Sequence, residues 1–231
     1  MKIFKLNIAL LCALILFAGC GSMNNTTKGG LIGAGGGAAL GALAGKLIGG
    51  NGKGTAIGAA IGTAVGTTAG VLIGKKMDKA KAEAEAIANA QVESVTDANG
   101  LQAVKVTFDS GILFATNKAD LNATAKTSLK EFAGVLNNYA DTDVAIIGHT
   151  DNTGSDAINN PLSLKRAQSV EAYLKSCGVS VNQIASVEGK GSTEPVADNS
   201  TSAGRTQNRR VEVYMYASPE MINAANAGTL K

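Results

Sequence analysis

Hydrophobic and polar positions change rhythm several times along the chain. Leu6 to Ala18 is almost wholly apolar behind Lys2 and Lys5. Glycine then recurs at every fourth position from Gly33 through Gly37, Gly41, Gly45 and Gly49, and again from Gly54 through Gly58, Gly62, Gly66, Gly70 and Gly74. Positions four apart share one face of a helix, so each series predicts a helical leg with a smooth stripe that admits another backbone closely. The break Gly49-Gly50-Asn51-Gly52-Lys53-Gly54 predicts a turn and hence a helical hairpin. Asp78 to Ala90 is Ala-rich and polar, with Lys79/Glu83 and Lys81/Glu85 at i,i+4 spacing, and predicts a solvated connecting helix.

Beyond Gln91 the period shortens to two. Val92 to Thr96 and Leu101 to Phe108 alternate apolar and polar around Asp97-Ala98-Asn99-Gly100, a hairpin pattern. A short apolar piece, Ile112 to Phe114, precedes a helix expected from about Asn122 with Leu129, Phe132, Ala133 and Leu136 on its inner face. Val144 to Gly148 predicts a buried strand. The next helix is expected to bury Leu164, Ala167, Val170, Ala172 and Leu174 and to stop at Gly178. Strands at Gln183 to Glu188 and Val211 to Tyr216, with a short helix over Gly204 to Arg210 between them, complete the pattern. Strands interleaved with helices predict an α/β or α+β domain, a layered sheet with helices on one side. The residues from Ser218 onward lack a core pattern and are expected to be mobile.

The start of the chain reads as an address. Two lysines before an apolar run too short to cross a bilayer, followed by Gly19 and Cys20, form a secretory signal. Leu16-Phe17-Ala18-Gly19-Cys20 resembles a bacterial lipobox, which implies a lipid-anchored, palmitate-bearing Cys20 as the mature N-terminus. Gly21-Ser22 beside it is read as permitting export to the outer membrane, on its periplasmic face. The expected organisation is therefore a signal peptide (1–19), a tether (20–28), the zipper hairpin (29–76), a linker helix (77–90), a globular domain (91–217) and a tail (218–231). Thr55 to Gly74 carries no charge and as a helix is about 30 Å long, enough to cross a bilayer core. The pattern leaves open whether the hairpin spans the membrane, lies on it or self-associates into a homo-oligomer.

Composition narrows the chemistry. The chain of 231 residues has one His and three Cys, too few for a Cys/His zinc site or a disulfide framework. A net charge of +3, no Trp and no basic run interleaved with aromatics give no support to a nucleic-acid partner. No cofactor motif is present, and no Ser or Cys nucleophile accompanies His149 in a recognisable pattern, which reads His149 as an orienting or packing residue.

A family resemblance is carried by Phe114-Ala115-Thr116-Asn117, the run GHTDNTGS from Gly148 to Ser155, Asn159, the run LSLKRAQSV from Leu162 to Val170, Gly204-Arg205, and NRRVEV from Asn208 to Val213. These pieces resemble the OmpA-like peptidoglycan-binding domain over roughly residues 91–217. With the lipobox and zipper in front, the whole chain is similar to the glycine-zipper outer-membrane lipoproteins of the YiaD type. The resemblance implies a mixed sheet packed against helices and a non-catalytic tether joining the outer membrane to the cell wall. Pro161 departs from the family pattern and is expected either to kink a helix or to sit in its first turn.

The ligand so implied is the peptide stem of peptidoglycan, chiefly meso-diaminopimelate, whose side-chain end is a zwitterion. Asp151 and Arg166 match the family positions that hold it, Asp151 taking the ammonium and Arg166 gripping the carboxylate in a bidentate fork. Asn117, Thr150, Asn159, Leu162 and Arg210 are further candidates for the groove. Asn159 also reads as a tie between loop and helix, and Arg209 and Arg210 as strand-edge charges, one of them structural. Cys177 reads as a buried free thiol. The alternative function is a membrane-active or oligomerising zipper protein moored to the wall by the same domain. Cys20→Ser is expected to stop incorporation of labelled palmitate; labelling that persists in this variant rules the lipobox out.

Overall fold

The computed structural model describes residues 65–231 apart from Ala98 and Thr116. The signal peptide, Cys20, the tether and most of the zipper lie outside the described residues. Helix α1 spans Thr67–Glu85, strands β1 and β2 span Ala90–Thr96 and Gln102–Asp109, and a single turn α2 covers Ser110–Leu113. Helix α3 (Ala123–Asn138), β3 (Thr142–Gly148), α4 (Asp156–Ser176), β4 (Ile184–Gly189), α5 (Ser202–Asn208), β5 (Arg210–Ala217) and α6 (Pro219–Asn226) follow. The sheet order is β1-β2-β5-β3-β4. Only β3 and β4 are parallel, because α4 carries the chain back across the sheet between them.

Local chemistry explains the element ends. Gly100, at φ 73°, closes the β1–β2 turn, while the Asp97 carboxylate accepts the Asn99 and Leu101 N–H groups at 2.8 Å each. Asn122 caps α3 by accepting the Ala125 N–H at 2.9 Å. Gly178, at φ 95°, ends α4, as its position after the apolar pattern predicts.

The alternation of β2, β3 and β5 sends Val104, Val106, Phe108, Val144, Ile146, Val211, Val213 and Met215 into one core beneath the helices. Phe108 meets Phe132 of α3 edge to face at 5.8 Å between ring centroids. The opposite face carries a smaller cluster of Ala103, Ala145, Ile147, Tyr214 and Tyr216.

Several expectations change. α1 is not solvated all round: Ala69, Ile73, Met77, Ala80 and Ala84 are buried in the main core, a stripe whose small residues give little hydropathy signal. Its polar face is stitched in as well, Tyr139 Oη donating to Glu83 at 2.7 Å and Gln102 Nε2 to Asp78 at 2.8 Å. The domain therefore begins inside the second zipper leg, since Gly70 and Gly74 are buried in the same helix. Among the described residues no helix is long and apolar enough to cross a membrane.

The tail is likewise part of the fold. Ser218 caps α6 by accepting the Met221 N–H at 3.1 Å, and Met221, Ile222 and Ala225 are buried. On α4 the inner face is Ala167, Val170 and Leu174, whereas Leu164 and Ala172 are exposed. Pro161 lies inside α4, beyond its first turn; the carbonyl it leaves without a helical donor is that of the exposed Ala157. Cys177 is half-buried at the end of α4, not fully enclosed.

α4 sits unusually close to the sheet. A Cβ on Gly148 would lie 2.1 Å from the Ser163 carbonyl oxygen, and one on Gly189, its neighbour across the β3–β4 pairing, 2.4 Å from the Leu164 nitrogen. Gly148→Ala is expected to cost about 1–3 kcal/mol or more, because backbone and not a flexible side chain must give way. A variant with an unchanged denaturant midpoint would show that α4 can lift off freely.

Asp97 generates a pH dependence. Burial pushes its carboxyl up to about 6 against the opposing Leu101 and Asn99 N–H groups, and Oδ2 has no partner among the described residues. Asp143 is also pushed up to about 6, by burial and by repulsion from Glu220. Both native groups prefer the neutral acid, so their stabilisation is complete below about pH 4 and is lost as pH rises through about 6. Asp97→Asn keeps the Oδ1 acceptor and is expected to remove about half or more of the decline in stability between about pH 4 and 7. Urea midpoints across that range measure it; an unchanged slope would assign the decline to other groups.

Candidate functional site

The close seat of α4 places one of its faces over the carboxyl end of β3. Asn159, Leu162 and Arg166 follow i, i+3, i+7 spacing and project over the segment His149 to Asp151 that leaves the strand. Together with the α2 region, the turn at Asn117 and α5, they line a cleft of about 500 Å³. Asn117 stands at φ 57°, a left-handed conformation that Asn tolerates better than most residues.

Asp151 is 7% exposed. Its Oδ1 accepts the Thr153 N–H at 2.8 Å, and its Oδ2 accepts from Arg209 Nη1 at 2.6 Å. Burial alone would raise this carboxyl, but Arg209 and the Thr153 groups outweigh it and hold it below the usual carboxylate range. Arg209 also donates to Thr206 Oγ1 at 2.8 Å, which fixes its fork against the cleft wall.

Arg166 is 4% exposed. Its Nε donates to the Lys118 carbonyl at 3.1 Å, and its guanidinium carbon lies 5.2 Å from the centre of the Phe114 ring. Burial and the nearby Arg209 charge lower its affinity for the proton, while Asp151 works in the opposite direction. Arg166 forms no ion pair with Asp151, nor with any other described residue. Its two terminal amino groups remain available in the cleft. The Asn159 amide donates to the Thr153 carbonyl at 3.2 Å and ties the loop to the helix.

The structure brings Asp151, Arg166, Asn117, Thr150, Asn159 and Leu162 to this one cleft. Arg210 is not among them. It opens β5 and faces the other side of the sheet, with Nε donating to Glu212 Oε1 at 2.7 Å and Nη2 to the Glu194 carbonyl at 3.2 Å. Neighbouring positions at a strand start point in opposite directions, so Arg209 is the groove residue and Arg210 the structural one.

His149 is 1% exposed, with Nε2 3.5 Å from Glu212. Burial pushes the Glu212 carboxyl up, but His149, Arg210 and Tyr214 together hold it well below the usual range. Thr153, in the loop Asn152 to Ser155 whose backbone N–H groups are expected near an anion, lines the cleft too; Ser110, Gly111 and Arg205 also line it and lie outside the expected set. For Arg205 a signal existed in the Gly204-Arg205 motif; for Ser110 there was none, since it depends on where α2 packs. Among the described residues no group of three or more His, Cys, Asp or Glu is placed to hold a metal ion.

Residues 113–209 match the OmpA family over the segment that builds most of the cleft. This segment is similar to the OmpA domain. Residues 1–78 match the YMGG-like Gly-zipper family, ending inside α1. The chain is 39% identical over 104 residues to the probable lipoprotein YiaD of Escherichia coli, covering 45% of this chain and 47% of that protein. It is 42% identical over 111 residues to the peptidoglycan-binding protein ArfA of Mycobacterium tuberculosis, covering 48% of this chain and 34% of ArfA. It therefore spans less than half the length of these two relatives.

The cell wall anchor of the T6SS from Pseudomonas aeruginosa superposes with a TM-score of 0.51 at 28% identity, covering 62% of this chain and 97% of that structure. The OmpA domain resemblance and the glycine-zipper reading made from motifs both stand, as does the mixed sheet packed against helices.

Proposed function

We propose that the protein is a non-catalytic, lipid-anchored tether of the periplasmic face of the outer membrane, whose OmpA domain holds the peptide stem of peptidoglycan. The recognised group is the zwitterionic end of meso-diaminopimelate. One observation carries the reading: two buried groups of opposite charge, Asp151 and Arg166, share a cleft without pairing to each other. An ion pair between these two would spend both on each other; instead Asp151 pairs with Arg209 and Arg166 with no carboxylate among the described residues. Here the Arg166 fork is oriented by Lys118 and Phe114 yet keeps its terminal donors for a carboxylate. Asp151 uses one lone pair of each oxygen and retains acceptor capacity for an ammonium.

Relatives support this reading, ArfA being a peptidoglycan-binding protein and the P. aeruginosa neighbour a cell wall anchor. The anchor at Cys20 rests on the lipobox, and the likeness to the probable lipoprotein YiaD supports it. The zipper would then lie between the lipid anchor and the wall domain, where it could self-associate.

Asp151→Ala or Arg166→Ala in the full chain is expected to weaken co-sedimentation with purified sacculi by roughly 30-fold or more, about 2–5 kcal/mol, because one charge of the bound zwitterion loses its partner. Arg166→Lys keeps a cation but not the fork and is expected to weaken binding less than Arg166→Ala. The melting temperature without ligand should change little for Asp151→Ala, since the partly exposed pair with Arg209 contributes about 0–1 kcal/mol. Variants that sediment like the parent, or that lose stability while binding normally, overturn the assignment.

A further inference from the structure

The cleft holds more positive charge than a diaminopimelate end can use. Its walls carry one carboxylate, Asp151, against the guanidinium groups of Arg166, Arg205 and Arg209. Arg209 is matched to Asp151 at 2.6 Å. In the proposed reading Arg166 takes the ligand's carboxylate and the ligand's ammonium turns to Asp151, so Arg205 is left over. Its Nη1 donates to the Asn199 and Ser200 carbonyls at 2.9 and 3.2 Å, contacts that pin the guanidinium at the cleft wall without neutralising it. Among the described residues no carboxylate pairs with it.

Two hydroxyls supply an independent observation. Ser110 Oγ and Thr150 Oγ1 belong to cleft-lining residues that are 2% and 5% exposed, and neither atom has a hydrogen-bond partner among the described residues. A hydroxyl buried without a partner is costly unless something else supplies one. Donors and a spare cation in the same cleft fit a second carboxylate.

We infer that Arg205, with the Ser110 and Thr150 hydroxyls, forms a second carboxylate subsite beside the Asp151/Arg166 pair. This inference rests on the proposed reading of the cleft and deepens it. The preferred ligand is a stem peptide that bears a free carboxylate beyond the zwitterionic end, such as the α-carboxylate of the adjoining glutamate. An amide in its place brings no charge and keeps one acceptor oxygen, its other position setting N–H donors against a guanidinium that has only donors of its own. The cleft thus discriminates between free-acid and amidated stems, not merely between stems with and without diaminopimelate.

The test is calorimetric binding of two synthetic tripeptides to the full chain in detergent. One is L-Ala-γ-D-Glu-meso-diaminopimelate; the other carries an amide at the glutamate α-carboxyl. The free acid is expected to bind roughly ten-fold tighter or more, the worth of a charge-assisted contact. Arg205→Gln should weaken the free acid to the level of the amide and leave the amide unchanged. Equal binding of the two peptides by the parent chain, or equal weakening of both by Arg205→Gln, overturns the second subsite while the tether reading stands. Failure of both peptides and of sacculi to bind overturns the reading on which it rests.

Discussion

Everything at the cleft depends on how closely the backbone of α4 approaches the ends of β3 and β4. Gly148 and Gly189 lie side by side in the parallel pair and leave a flat patch on which the helix rests at Ser163 and Leu164. The contact is completed beyond β4, where the Gly191 N–H donates to Ser163 Oγ at 2.9 Å and its carbonyl accepts the Thr150 N–H at 2.8 Å. Gly191 stands at φ 53°, and a Cβ there would meet the Asn160 side chain at 2.2 Å. Packing at this distance fixes the rotation of α4 about its axis. With the phase set, Asn159, Leu162 and Arg166 have no other direction to face, and Thr150 and Asp151 are held opposite them.

The start of β5 shows how one dipeptide serves two networks. Arg209 turns to Asp151 in the cleft, and Arg210 turns to Glu212 beneath the far face of the sheet. Each arginine has its own carboxylate; against the pull of burial, Arg209 and Thr153 hold Asp151 below its usual range, and His149, Arg210 and Tyr214 do the same for Glu212. The Glu212 side adds Tyr214, whose hydroxyl donates to Glu212 Oε2 at 2.7 Å; burial and that carboxylate together push the phenol well above its ordinary value. This second network is closed on itself and braces the strand from which Arg209 emerges. The cleft, by contrast, retains guanidinium donors that the protein does not consume.

The parts of the fold legible in the sequence were those with strong periodicity. The β1–β2 hairpin, α3 with its Asn122 cap and the stop at Gly178 follow from alternation, capping and glycine chemistry alone. α1 reads as solvated because alanine hardly registers as hydrophobic, although Met77, Ala80 and Ala84 stand at the spacing of a buried stripe. The C-terminal helix leaves no signal for a similar reason: its two large apolar residues, Met221 and Ile222, form no repeating pattern. At the cleft, motif order points to Asp151 and Arg166, which the fold places in one lining, but which of two adjacent arginines faces it depends on the residue at which β5 begins. Ser110 has no signature at all, since its burial comes from tertiary packing of a single helical turn.

The way α1 joins the sheet has a mechanical meaning. Gly66, at the head of the helix, donates to Asn226 at the end of α6, and Lys76 pairs with Asp141 at 2.6 Å, just before β3 begins. These contacts lie at the Thr142/Ala217 end of the β3–β5 pair, whereas the cleft lies at the Gly148/Val211 end. Tension between the incoming chain and a partner seated in the cleft therefore runs lengthwise along the strands. The ladder bonds of β2, β5 and β3 then share the load in shear and must fail together, whereas a pull across the strands would open them one after another like a zip. With the head of α1 and the cleft at opposite ends of an antiparallel core, a tether built on this fold would carry its load along the strands.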